Sequence, residues 1–371
     1  MKLTCHRDKL ATAFATAASV APGRSTKPIL QNVKLDTESD SVTLAATDLE
    51  IGIRVQMTGV EIERPGSAVL PVKRFGDIVR ESHGDILNLE SDGQSLTVWG
   101  EHSEFRLPIQ SPEEFPVVST FTEEKYHEVP ARLFREIVRR TAFATDVEST
   151  RYALGGVLLE MLPDKIIAVG TDGRRLAKME GQAVSVGGHQ TGDNTVIVPT
   201  RAMQVMERAI TDADGEISIA HRANAVLVKS PRVTISSTLV AGRFPRWRDV
   251  FPNRSGAKQI DMVVGPFHSA VRQAAIMTSE ESRGVDFTFG DGKLVLTARA
   301  AETGQSRVEL PIPYDGDSLV ITLDPGYLTD FLRVLEPEKS ITLYITDSES
   351  AATFNTDDGY AYVIMPLARE K

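Results

Sequence analysis

The chain holds 371 residues, a single cysteine and a formal charge of −10, a length that corresponds to about two to three domains. One thiol, Cys5, excludes an internal disulfide framework and fits a reducing compartment, so a cytoplasmic address is expected. Hydrophobic content of 41% and charged content of 25% are those of folded globular domains, and no apolar run approaches the ~18 residues of a membrane span.

The first residues imitate an export leader, with Lys2, Arg7 and Lys9 ahead of an apolar stretch over 10–20. Asp8 interrupts the basic part, Thr12 and Thr16 dilute the apolar part, and Leu10, Ala13, Phe14 and Ala17 fall on one helical face. We therefore read a strand over 2–5 and a helix over 6–19. Strands follow over 30–35, 41–46, 51–57 and 67–70, then a helix opened by Pro71 that turns Phe75, Ile78 and Val79 inward, then strands over 86–90, 95–100 and 104–109. The proline- and acid-bearing stretch 112–125 reads as a linker. The order then recurs. A strand over 126–129 leads to a helix after Pro130, strands over 155–161 and 165–170 precede a tight turn, and a strand over 195–198 leads to a helix after Pro199. Strands over 216–220, 225–229 and 233–239 close that repeat. A third round runs from about 258, with helices at Pro266 and Pro325 and a hairpin over Asp291-Gly292. Proline at a helix start is expected, because the N–H it lacks has no partner there.

The pattern is a half-repeat of strand, helix and three strands, met six times. It predicts an α+β chain of three repeated domains over 1–121, 126–251 and 258–371, each with two helices against two antiparallel sheets. Its signature is Thr171-Asp172-Gly173, a turn in which Asp bonds its own backbone and Gly tolerates positive φ. Thr47-Asp48 echoes it upstream, and 296–304 is a worn echo downstream. Charge is sorted by element: windows drawn over the six helices hold 13 Lys and Arg against 6 Asp and Glu, so they carry +7 and the remainder −17. Helices gathered on one surface would attract phosphate while the rest repels it. Arg132, Arg135, Arg139 and Arg140 are all expected on the polar side of their helix. No stacking aromatics interleave them, so backbone contact without sequence preference is the expectation.

These residues resemble the bacterial β sliding clamp family, the processivity subunits of replicative DNA polymerases. The resemblance rests on Lys27-Pro-Ile-Leu-Gln-Asn-Val33, Ala46-Thr-Asp-Leu-Glu-Ile51, Thr171-Asp-Gly-Arg-Arg-Leu-Ala177, Gly242-Arg-Phe-Pro-Arg-Trp-Arg248, Ser282-Arg-Gly-Val285 and Tyr362-Val-Ile-Met-Pro-Leu367, spread over the full length in family order. It implies a head-to-tail homodimer of three-domain chains, closed as a ring with twelve helices lining the hole. Neighbouring axes about 10 Å apart give a circumference of ~120 Å, which leaves roughly 28 Å clear once the helix radius is removed. Double-stranded DNA fits and is held by topology. The resemblance further implies a pocket between the second and third domains for short motifs of the replicative polymerase α subunit, the clamp loader δ subunit and repair proteins. Carried over by motif, its residues are Leu154, Thr171, Gly173, Arg175, Leu176, Pro245, Val250, Val363, Met365, Pro366 and Leu367. DNA contacts fall on Arg24, Lys73, Arg74, Arg201 and Arg283, joined by Arg135 and Arg139 from the basic helix. The dimer seam sets Phe105 and Leu107 against Ile276 and Met277. The chain departs from the family where Arg174 replaces a usual His, where Ala153 replaces a Tyr, and in its tail over 368–371.

An enzyme is the rival reading. The histidines His6, His83, His102, His127, His189, His221 and His268 lack metal-ligand spacing. No phosphate loop, dinucleotide fingerprint or nucleophile elbow occurs. The sequence thus implies no cofactor and no metal, and a second rival, a scaffold of the same repeats that ignores DNA, has no need of basic helices.

Overall fold

The structure is a computed structural model and describes residues 1–148, 153–212, 214–252, 256–279, 283–300 and 304–368. Its helices are α1 (Arg7–Ala18), α2 (Val72–Glu81), α3 (Ala131–Thr141), α4 (Thr200–Ala209), α5 (Val264–Ala275) and α6 (Pro325–Arg333). Pro71 and Pro199 are the last extended residues before α2 and α4, Pro130 precedes α3, and Pro325 opens α6. By compactness the chain divides into two units, 1–134 with 183–239 and 135–182 with 240–371.

In the first unit a five-stranded antiparallel sheet runs in the order Val60–Arg64, Lys2–His6, Ile86–Ser91, Ser95–Trp99, Glu104–Pro108. A nine-stranded sheet runs Val184–Val186, Tyr126–Pro130, Glu216–His221, Ala225–Lys229, Val233–Thr238, Ile51–Met57, Val42–Thr47, Asn32–Thr37, Gly66–Pro71. The first and second repeats meet inside this larger sheet, where Val55 pairs with Val233 and the register continues to Ile51 with Ser237. Helices α1 and α2 pack together through Phe14 and Phe75, whose ring centroids lie 4.8 Å apart.

The linker is a strap across the same sheet. Its short helical turn Pro112–Glu114 leads to Phe115 and Val118, which are buried in a cluster with Ala45 and Val69. Val118 lies over Gly52 so closely that a Cβ there would stand 2.9 Å from its methyl, which is why this strand position takes no side chain. Farther along, Glu123 accepts a hydrogen bond from Arg222 Nε at 2.7 Å, pinning the strap to the turn after Glu216–His221.

In the second unit seven strands pair in the order Gly156–Met161, Lys165–Thr171, Arg175–Gln182, Tyr360–Ile364, Ala352–Asn355, Ser340–Ile345, Lys258–Val263. Four more form a sheet ordered Gly304–Pro311, Lys293–Ala300, Val285–Gly290, Leu319–Leu323. The join between repeats is again a registered strand pair, Arg175 with Ile364 through Met179 with Tyr360. Aromatic rings fill the core under α5 and α6: Phe331 stacks on Tyr362 at 4.6 Å, and Phe354 lies against both Phe267 and Phe331.

Three strands lie beyond the sequence expectation, Val60–Arg64, Val184–Val186 and Gly304–Pro311. None contains a buried residue: Val60 and Ile62, Val184 and Val186, and Val308 and Leu310 alternate with polar residues, but each run offers only two apolar positions, too few to mark a half-buried strand. All three are sheet edges, where short strands and charged side chains such as Glu61, Glu63, Arg307 and Glu309 are the usual protection.

Candidate functional site

The turn singled out from the sequence is built twice by the same bonds. At the second repeat Thr171 Oγ1 donates to the Arg175 carbonyl at 2.6 Å and accepts from Gly173 N–H at 3.1 Å, while Asp172 Oδ1 accepts from the N–H groups of Arg174 and Arg175. At the first repeat Thr47 Oγ1 donates to the Ile51 carbonyl at 2.8 Å and accepts from Leu49 N–H, and Asp48 Oδ1 accepts from Glu50 and Ile51. The position needing positive φ is Gly173 at 88° in one turn and Leu49 at 82° in the other. The third echo reaches 301–303, outside the described residues.

What differs is the charge each turn holds. Arg175 folds back on its own turn, donating from Nε to Asp172 at 3.0 Å, from Nη1 to Asp330 at 2.8 Å and from Nη2 to the Phe143 carbonyl at 2.9 Å. Its guanidinium lies 4.5 Å from the centroid of Tyr327 and 5.3 Å from that of Phe143. Burial alone would lower its pKa, but Tyr362, Asp330 and Asp172 outweigh it and raise it further. Every arm of this side chain is used, so Arg175 holds the wall of the site rigid.

The carried-over residues form two groups, the first of them beside Arg175. Leu176 and Val363 are registered partners, both buried, and Met365 N–H donates to the Arg174 carbonyl at 2.9 Å. Leu367 N–H donates to the Thr322 carbonyl, which leaves Met365 43% exposed as an apolar end. The second group is Leu154, Pro245 and Val250. Ala153 N–H reaches the Arg243 carbonyl, which ties 153–154 to the 242–250 segment. Trp247 and Arg248 both bond Glu160, fixing the short helical turn Trp247–Val250 that presents Val250 at 37% exposure. Beside Arg175 lies a depression of about 520 Å³ bordered by Tyr327, Asp330, Thr278 and Arg283. Arg283 thus stands next to this site. Ser282 and the tail 369–371 lie outside the described residues.

The basic residues divide by exposure. Arg24, Lys73, Arg74, Arg132 and Arg139 are exposed, and Arg135 is half-buried. Arg201 is exposed but engaged, ion-paired with Asp48 and donating to the Val20 carbonyl at 3.4 Å. Arg140 corrects the sequence reading. It is not on the polar side of α3 but 6% exposed, paired with Glu136 at 2.6 Å and Asp358 at 2.8 Å, with its guanidinium 5.3 Å from the centroid of Tyr360. It sits three residues beyond Ile137, at the margin of the buried stripe, where a long stem reaches inward. For Asp358, burial would raise the pKa, but Lys339, Thr356 and Arg140 hold it far below the usual carboxylate range. Of the seam residues, Phe105 is 36% and Ile276 70% exposed, whereas Leu107 is buried opposite Leu96 and Met277 is half-buried.

Sequence spacing missed one cluster. His127, His189 and His221 form a line, with His127 Nδ1 2.7 Å from His189 Nδ1 and His189 Nε2 2.9 Å from His221 Nδ1. Asn194 Nδ2 stands 3.4 Å from His221 Nε2. With Asn194 donating, each ring in turn donates one N–H to the next, so the line is consistent with three neutral imidazoles. Burial, then His221 and His127, pushes His189 down to about 4, and burial and His127 lower His221. Among the described residues no group is arranged to hold a metal.

The comparisons with known proteins follow the repeat. The chain matches the DNA polymerase III beta subunit N-terminal domain over residues 1–119, its central domain over 128–246 and its C-terminal domain over 248–368. It is 31% identical to a beta sliding clamp of Pseudomonas putida across 99% of this chain and 100% of that one, and 29% identical to that of Chlamydia pneumoniae across 99% of each. Among solved structures, a DnaN sliding clamp (DNA polymerase III subunit beta) from Pseudomonas aeruginosa bound to griselimycin superposes with a TM-score of 0.92 at 28% identity, covering 100% of both chains. Its counterpart from Bartonella birtlesii, also bound to griselimycin, gives 0.90 at 26% over the same coverage. Matched domain by domain along nearly its whole length, the chain belongs to the DNA polymerase III beta subunit family, the bacterial β sliding clamps.

Proposed function

We propose that this chain works as a cytoplasmic sliding clamp, dimerising head to tail into a ring that encircles duplex DNA and tethers the replicative polymerase. It is a non-catalytic processivity subunit by family. The domain bounds 1–121, 126–251 and 258–371 follow the repeat, and the three family matches support the same division. In this reading a ring needs no tight grip. Lys73 and Arg74 at the start of α2, Arg135 and Arg139 on α3, and Arg24, Arg201 and Arg283 supply weak phosphate attraction, and closure prevents escape. Exposure of Arg24, Lys73, Arg74 and Arg139 supports the assignment. Arg201 contributes after leaving Asp48 or by sharing it.

The docking site is assigned to Leu154, Thr171, Gly173, Arg175, Leu176, Pro245, Val250, Val363, Met365, Pro366 and Leu367. The observation that carries it is the pair of exposed apolar ends, Met365 and Val250, standing on otherwise buried and hydrogen-bonded supports. An apolar motif side chain covers such ends, and polar groups at the edge fix its direction. The griselimycin complexes of two relatives support a ligand pocket in clamps of this kind. Expected partners are the polymerase α subunit, the clamp loader δ subunit and repair proteins carrying short motifs. The experiment is retention on nicked circular DNA after loading. Retained protein should be released when the circle is linearised, and release that ignores linearisation would remove the ring reading. Deleting 365–371 should abolish binding of a polymerase-derived motif peptide in a titration, and unchanged affinity would remove the pocket.

A further inference from the structure

The strap over the nine-stranded sheet leaves part of it open. Beyond Val118, at Thr120 and Phe121, it borders a cavity of about 180 Å³ over the strands Val42–Thr47, Ile51–Met57 and Val233–Thr238. On the floor is Arg54, half-buried, with Ala45 and Thr234 as its registered neighbours and Lys229 opposite Thr234 one strand on. Lys229, Arg232 and Arg54 are three cations on one small cavity, and among the described residues no Asp or Glu lines it. Thr43, Thr120 and Thr234 add hydroxyls.

The Arg54 side chain has no hydrogen bond and no ion pair among the described residues. Two more deeply enclosed arginines, Arg140 and Arg175, each hold two carboxylates. In a chain with 51 acidic side chains, a half-buried guanidinium that forms no ion pair among the described residues points to an anion from outside. Its five N–H donors lose water on burial and gain most from an oxyanion. Lys229 Nζ rests 5.8 Å from the Phe121 centroid, a contact that leaves its three donors usable. Three positive charges exceed the single charge of a carboxylate, and three hydroxyls suit an anion with more than two oxygens.

We propose that this cavity binds a phosphate-type oxyanion, either free or as the terminal phosphate of a nucleotide. The site lies on strands and the linker, apart from the basic helices assigned to DNA. It therefore stands or falls independently of the clamp reading.

The test is calorimetric titration of the full-length protein at fixed ionic strength, near pH 7.5, with inorganic phosphate, deoxyadenosine monophosphate and acetate. Phosphate should bind saturably and acetate should not. Arg54→Gln should weaken phosphate at least about tenfold, the loss expected for one charged hydrogen-bonding partner. Arg232→Gln with Lys229→Gln, both at exposed positions, should weaken it as well and keeps the test valid if the Arg54 variant misfolds. Tighter binding of the nucleotide assigns the source to nucleotides, and equal binding assigns it to free phosphate. The proposal is overturned if phosphate does not saturate, if acetate matches it, or if the variants bind as the parent does.

Discussion

Leu49 occupies a backbone position that its sister turn gives to Gly173, with φ of 82° against 88°. A side chain with a Cβ in that region costs about 1–2 kcal/mol, and glycine gives back somewhat less because of its freedom when unfolded. Leu49→Gly should therefore raise stability by about 0.5–1 kcal/mol, read as a higher melting temperature; a lower one would mean that Leu49, 52% exposed here, is held by contacts elsewhere. The two turns were legible from Thr-Asp alone, because that dipeptide carries the bonds that make them. The destination of Arg175 was not, since Asp330 lies 155 positions away. Arg140 was misread for a related reason. Polar residues at the margin of a helix face outward or inward according to what the rest of the fold offers, and only the fold reveals Asp358 and Tyr360. Arg140→Met, which keeps the stem and removes the charge, should cost about 3–5 kcal/mol by leaving Asp358 and Glu136 short of a partner. Chemical denaturation measures it, and a neutral result would show that Lys339 suffices for Asp358.

At the scale of elements, helices were read well because their buried stripes are periodic, and edge strands poorly because theirs are absent. The histidine line belongs to this scale. It joins the strand Tyr126–Pro130, the loop after Val184–Val186 and the end of Glu216–His221. His189 at about 4 lies below the ordinary histidine value of 6.5, so the folded state binds its proton less readily than the unfolded chain does. That stabilisation is complete above about pH 6.5 and is lost as pH falls towards 4. Stability should drop across that window by on the order of 2 kcal/mol after allowance for solvent screening, read as a lower melting midpoint. His189→Gln should flatten the decline, and an unaltered pH profile in that variant would place the titration elsewhere.

For the whole molecule, the three-fold repeat was visible in the sequence, whereas the division into two compact units was not. Each sheet join is made of backbone hydrogen bonds between distant strands, to which side-chain patterns contribute little. Under the proposed dimer, Phe105→Asp combined with Ile276→Asp should convert the protein to monomers in sedimentation, because charges would replace two exposed apolar side chains at the seam. A dimer that persists would move the seam to other residues.

The registered pairing of Ile51–Met57 with Val233–Thr238 also bears on how such a chain can be cut or copied. A fragment ending at 121 would carry a raw strand border rich in Ile51, Ile53, Val55 and Met57, with its donors and acceptors open to any neighbour. Such a piece should self-associate. A duplicated module of this type therefore survives only alongside a sibling that seals its border, so gain or loss of copies must proceed by whole complementary edges.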